Sequence, residues 1–182
     1  SVEKQIHDRL ENVEEQFVEK IADNMRTYGI STTVGRVLGI IYMNRKPMTL
    51  DELAEETGMS KTRMSQVIRE MLKLNIAEKV FQKGVRKDLY NVESDYYQTF
   101  ISLFTSNWHE AITKSRLFEK KIQRDLENLK DSPSLTKEDE EKLNELLHET
   151  KLWLEYYDWL NRLVEFFETG EIFKHVPKYI DK

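Results

Sequence analysis

The sequence predicts a mainly α-helical protein with one small β-hairpin and long helices at both ends. Three observations predict it. Apolar residues recur at spacings of three and four along most of the 182-residue chain, as they do on one face of a helix. Glycine and proline are scarce, at 6 and 3 residues, and charged residues make up 34 %, a composition that suits solvated helices. Only the stretch at 77–92 changes to the two-residue period of strands.

The elements follow in order. Ile6, Leu10, Val13, Phe17, Ile21 and Met25 form one apolar stripe, which predicts a first helix over 2–28 closed by Gly29. Ser31 is placed to cap a second helix that buries Val34, Val37, Leu38, Ile41 and Tyr42 and stops at Asn44-Arg45-Lys46-Pro47. Thr49-Leu50-Asp51-Glu52 has the form of a capping box, so a short helix starts there and ends at the Gly58-Met59-Ser60 turn. Ser60 caps the next helix, over 61–74. Val80, Phe81, Leu89, Tyr90 and Val92 are strand formers on either side of a basic tip, Lys83-Gly84-Val85-Arg86-Lys87. Helix resumes with an aromatic-rich stretch over 96–108 and a charged one to Lys130. Asp131-Ser132-Pro133-Ser134-Leu135-Thr136 breaks it, Thr136 caps a last helix to Glu168, and Gly170 leads into a tail. Three regions are expected: an N-terminal dimerisation helix (1–28), a central domain (29–95) and a C-terminal helical dimerisation and effector region (96–182).

Composition excludes several function classes. There is no cysteine, hence no disulfide framework and no thiolate metal site. His7, His109, His148 and His175 include no i, i+4 pair, so neither a metal nor a cofactor is expected. No apolar run nears the ~20 residues of a membrane span, and a cytoplasmic location is the expectation. The chain has no P-loop, no nucleophile-elbow motif and no H-E-x-x-H, so no enzyme is expected. The net charge of −5 is unevenly spread. Residues 60–91 hold eight bases against three acids, a net of +5, which leaves the rest of the chain at −10. A basic window in an acidic protein is a localised electrostatic footprint.

Short helix, glycine turn, second helix, basic hairpin is the order of a winged helix-turn-helix. On the helix over 61–74, Met64, Val67, Ile68, Met71 and Leu72 share a face that would pack on the core. Thr62, Gln66, Arg69 and Lys73 lie opposite, flanked by Arg63 and Ser65, with Ser60 and Lys61 at the start. Gln can pair with adenine and Arg with guanine through two hydrogen bonds each, and Ser or Thr can contact bases or phosphates. Lys83, Arg86 and Lys87 on the wing would hold phosphates or enter the minor groove. The expected partner is double-stranded DNA. An adaptor that binds another protein is the alternative, and steep salt dependence would separate DNA binding from it.

Several strings carry a resemblance: Tyr28-Gly29-Ile30, Lys46-Pro47-Met48-Thr49-Leu50-Asp51-Glu52, Met59-Ser60-Lys61, Gly84-Val85-Arg86-Lys87, Tyr156-Tyr157-Asp158-Trp159-Leu160 and Gly170-Glu171-Ile172-Phe173-Lys174. The chain resembles the MarR superfamily of winged-helix regulators, in its glycine-betaine-synthesis regulator (GbsR-type) branch. The resemblance implies a homodimer built by the terminal helices and two winged domains reading a pseudo-palindromic operator. It also implies repression of genes for uptake or synthesis of the osmoprotectant glycine betaine and, in part of the branch, sensing of choline. The wide apolar stripes of the terminal helices agree with a dimer.

Aromatics concentrate in two places. Tyr96, Tyr97, Phe100, Phe104 and Trp108 could meet Trp153, Tyr156, Tyr157 and Trp159 and cage a quaternary ammonium through their ring faces, with Glu155 or Asp158 adding charge. Rings at helical spacing also serve as ordinary core or interface.

Overall fold

The computed structural model describes residues 1–180. It is mostly helical with one two-stranded sheet, and it divides into two compact units after Leu103.

The first unit begins with α1 (Val2–Met25), capped by the Ser1 side chain and extended by a 3-10 turn at Arg26–Tyr28. Gly29, at φ +74°, reverses the chain into α2 (Thr32–Asn44), which Ser31 caps. α1 and α2 meet backbone to backbone. A Cβ added at Gly35 would lie 2.8 Å from the Ala22 Cα and 2.9 Å from its carbonyl oxygen, and one at Gly39 3.1 Å from the Val18 carbonyl. Arg36 holds the same pair of helices together by its bonds to Glu15, at 2.7 Å, and to Glu19. The predicted α1 stripe is therefore divided. Ile21 and Met25 pack on the core with buried Val18 and Ala22, whereas Val2, Ile6, Leu10, Val13 and Phe17 remain 48–71 % exposed.

α3 (Leu50–Thr57) starts at the Thr49/Glu52 capping box and ends at Gly58, φ +72°. α4 (Lys61–Lys73) follows with Ser60 as its cap. β1 (Ala77–Val80) and β2 (Leu89–Val92) pair antiparallel from Ala77↔Val92 to Val80↔Leu89, and an isolated bridge joins Met48 to Tyr90. One core unites these pieces: Val34, Val37 and Ile41 from α2, Leu53 from α3, Met64, Val67, Ile68 and Met71 from α4, then Ile76, Tyr90, Val92 and Leu103. Two expectations are corrected. Leu72 is not packed inside. It lies roughly 80° round α4 from Met64, at the edge of the stripe, and it is exposed. Phe81 is not a strand residue, because the ladder closes at Val80↔Leu89.

The aromatic and charged stretches after Asp95 form one continuous helix, α5 (Tyr96–Lys130). Within the second unit α5 runs antiparallel to α6 (Lys137–Glu168), which starts at a second capping box, Thr136/Asp139. The order of contacts gives the direction: His109 pairs with Glu168, Ile112 packs on Leu160 and Val164, and Ser115 accepts from Trp153. The expected tail includes a single helical turn, α7 (Ile172–His175). Among the described residues, no helix is long and apolar enough to cross a membrane.

Candidate nucleic-acid interface

The surface of interest is built from the solvent side of α4. The buried stripe Met64–Val67–Ile68–Met71 fixes that helix on the core, so the 100° step per residue turns Lys61, Thr62, Arg63, Gln66, Arg69 and Lys73 outward, with Ser65 half-buried beside them. Leu50, Lys61, Thr62, Ser65, Gln66 and Arg69 line a shallow depression of about 400 Å³. The Ser60 hydroxyl accepts from the Arg63 N–H at 3.1 Å, which satisfies one free donor of the first turn and leaves its own hydrogen to give. Arg63 reaches Gln66 at 3.5 Å, too long to fix either head group.

Asp51, on the first turn of α3, organises the charges nearby. Its carboxylate lies 2.7 Å from the Lys87 ammonium and 3.4 Å from that of Lys61. Lys87, and then Lys61, hold the carboxyl below its usual range, and Asp51 in turn pushes Lys87 up. A single carboxylate thus brings the root of the wing and the start of α4 to one face. At the loop end of the hairpin ladder Lys79 pairs with Asp88 at 3.2 Å. Lys83 and Arg86 on the wing, and Arg69 and Lys73 on α4, have no ion pair among the described residues. Sequence reasoning named Lys61 and Lys87 but missed Asp51 between them. The signal was faint, since Lys87 stands 36 positions away.

The nine candidate aromatic residues fall in two units, each with contacts of its own. In the first unit Tyr96 stacks on Tyr42 at 4.9 Å, and the Arg45 guanidinium lies over the Tyr42 ring at 4.7 Å. Burial opposes ionisation of Tyr42, yet bonds to Tyr96 and Arg45 hold its phenol below the usual value. Tyr96 is pushed up, first by its bond to Tyr42 and then by burial. Phe100 tilts against Tyr28 at 6.4 Å, and the Tyr97 N–H donates to Asp95. In the second unit Trp108 packs on the Ile112–Leu160–Val164 cluster, and Phe104 on Phe167. Trp153 sits between Phe118, at 5.3 Å, and Tyr157, at 5.0 Å, and its indole N–H donates to the Ser115 carbonyl. Tyr156 meets Tyr157 edge-on, and both Tyr156 and Trp159 are half exposed. Asp158 is shared between Arg116, at 4.0 Å, and Arg162, at 3.5 Å, so it is not a bare counter-charge.

Two family models match the chain. One describes the MarR family and covers residues 28–88. The other describes the C-terminal helical hairpin of the GbsR family of transcriptional regulators and covers residues 96–174. The HTH-type transcriptional repressor OpcR of Bacillus subtilis (strain 168) is 65 % identical over 94 % of this chain and 92 % of its own. The HTH-type transcriptional repressor GbsR of the same strain is 34 % identical over 92 % of this chain and 93 % of its own. In fold, a crystal structure of a transcriptional regulator aligns at a TM-score of 0.53 with 16 % identity, over 86 % of this chain and 98 % of that one.

Proposed function

The chain belongs to the GbsR family of MarR-type winged-helix transcriptional repressors, and from that premise we propose how it reads DNA and what it controls. α4 enters the major groove. Gln66, Arg63 and Arg69 meet base edges, while Ser60, Lys61, Thr62, Ser65 and Lys73 serve the backbone. Lys83, Arg86 and Lys87 follow the flanking phosphates. The observation that carries this reading is the single basic face in which one carboxylate joins the wing root to the start of α4.

The operator is pseudo-palindromic, and a homodimer presents two such faces roughly 34 Å apart, one helical turn of DNA. The exposed stripe Val2, Ile6, Leu10, Val13 and Phe17 supports the dimer, because apolar residues in a continuous row on one helix face call for a partner. The controlled genes are those for uptake or synthesis of glycine betaine, as the family resemblance implies. Choline, a quaternary ammonium, relieves repression by binding the aromatic side chains. Of the six aromatic rings between Trp153 and Phe167, Tyr156 and Trp159 are the most exposed, at 51 % and 49 %, and offer the most free face.

The test is fluorescence anisotropy with a labelled duplex selected from a random pool. Arg63→Ala and Arg69→Ala should each weaken specific binding by roughly 1–3 kcal/mol, and wild-type affinity in both would rule out this surface. Saturating choline should lower the affinity of the wild-type protein through a change in the preferred spacing of its two reading helices. Unchanged affinity, with no heat on titrating choline, would remove the effector and leave the DNA reading intact.

A further inference from the structure

Phe81 is a residue for which the packing of the winged unit gives no reason. It follows directly on β1 and is 90 % exposed. A phenylalanine ring has on the order of 150–250 Å² to bury, and here it forgoes nearly all of it, although Leu89 and Tyr90 on the neighbouring strand are covered. The ring is not on a loose tail. Behind it the Val85 N–H donates to the Gln82 carbonyl at 3.1 Å, across a turn in which Gly84 has φ +85°. The Lys79–Asp88 pair braces the loop where it leaves the ladder, and Lys87 ties the loop to Asp51. Residues 79–88 carry Lys79, Lys83, Arg86 and Lys87 against Asp88 alone, a net of +3.

We propose that Phe81 is a DNA-contacting residue whose ring packs on sugars and base edges in the minor groove, while Lys83 and Arg86 neutralise the phosphates on either side. The proposal rests on the DNA-binding reading of α4 and the wing. Minor-groove proteins use this pairing of an apolar side chain, set against base steps, with cations that hold the backbone. Duplex DNA is the occupant that the geometry favours. Lys61 and Lys87 converge on Asp51, so the hairpin is joined to the face that carries Gln66 and Arg69. A protein or an anionic lipid surface would also accept a ring among cations, but neither calls for that shared face.

The experiment measures affinity for the selected duplex between 50 and 300 mM salt for the wild type, Phe81→Ala, Phe81→Leu and Lys83→Ala. Phe81→Ala should weaken binding about five- to fiftyfold at every salt concentration and leave the slope of log K against log salt unchanged, because a ring releases no counterions. Phe81→Leu should recover part of the loss. Lys83→Ala should flatten the slope by about 0.9. Wild-type affinity in Phe81→Ala, beside a flattened slope in Lys83→Ala, would overturn the Phe81 contact and leave the DNA surface standing. No change in any variant, Lys83→Ala included, would overturn the surface itself. A flattened slope in Phe81→Ala would also refute the contact, since the ring would then act only by positioning cations. So would intact DNA binding in Phe81→Ala beside lost co-sedimentation with phosphatidylglycerol vesicles, measured for the wild type and this variant. Matching circular dichroism melts exclude misfolding as the cause of any loss.

Discussion

Replacing Asp51 by asparagine should make the protein bind DNA more tightly at low salt. The change is nearly isosteric and removes one charge, the carboxylate that now engages Lys87 at 2.7 Å and Lys61 at 3.4 Å. In the wild type each lysine must give up that partner, at least in part, before it can neutralise a phosphate. Each phosphate newly neutralised steepens the salt dependence of log K by about 0.9. Freeing one lysine should therefore raise the ratio of variant to wild-type affinity about 3.5-fold between 200 and 50 mM salt, and freeing both about 12-fold. Anisotropy of a labelled duplex across that range gives the two slopes directly. Identical slopes would refute the reasoning, because Lys61 and Lys87 would then not lie on the DNA side. The pH dependence carries the same sign. A carboxylate depressed by its partners contributes stability above its unfolded pKa and loses it as pH falls through the folded one. Acid should therefore release the lysines in the wild type, and Asp51→Asn should lack that step.

Two further outcomes test the fold. Gly35→Ala places a methyl group 2.8 Å from the Ala22 backbone, where no side chain can move aside, and should destabilise the first unit by about 1–3 kcal/mol in a denaturant melt; an unchanged midpoint would mean that α1 and α2 are not in backbone contact. Leu10→Glu lies in the exposed stripe of α1 and should turn a dimer into a monomer in light scattering, with little effect on the helical signal of the winged unit; a dimer that survives would place the interface elsewhere.

What could be read from sequence was local. Ser31, Thr49, Ser60 and Thr136 all cap helices, because a cap needs only its own side chain and an N–H three residues on. The outward set on α4 followed from helical period once one face was apolar. The misreadings share a different cause. Phe81 has high strand propensity, but a strand ends where its ladder ends, and that depends on the partner at Leu89. The α1 stripe looked uniform because nothing in its own residues shows that the glycines of α2 cover only its C-terminal part. The concentration of aromatics was plain. The partner that each ring takes was not, since Trp153 finds Phe118 and Ser115 across the hairpin.

The glycine seam between α1 and α2 has a mechanical meaning. Packed side chains absorb small displacements by changing rotamer, but two backbones in contact have nothing to rotate, so α1 and α2 behave as one welded piece. From Ala22 to Val2 the helix extends about 30 Å, an arm carried rigidly by α2. A tilt of the welded pair by about 5° moves the far end by about 2.6 Å over that length. An adjustment too slight to disturb the core thus becomes, at the tip of the first helix, a displacement as large as the spacing between hydrogen-bonded atoms.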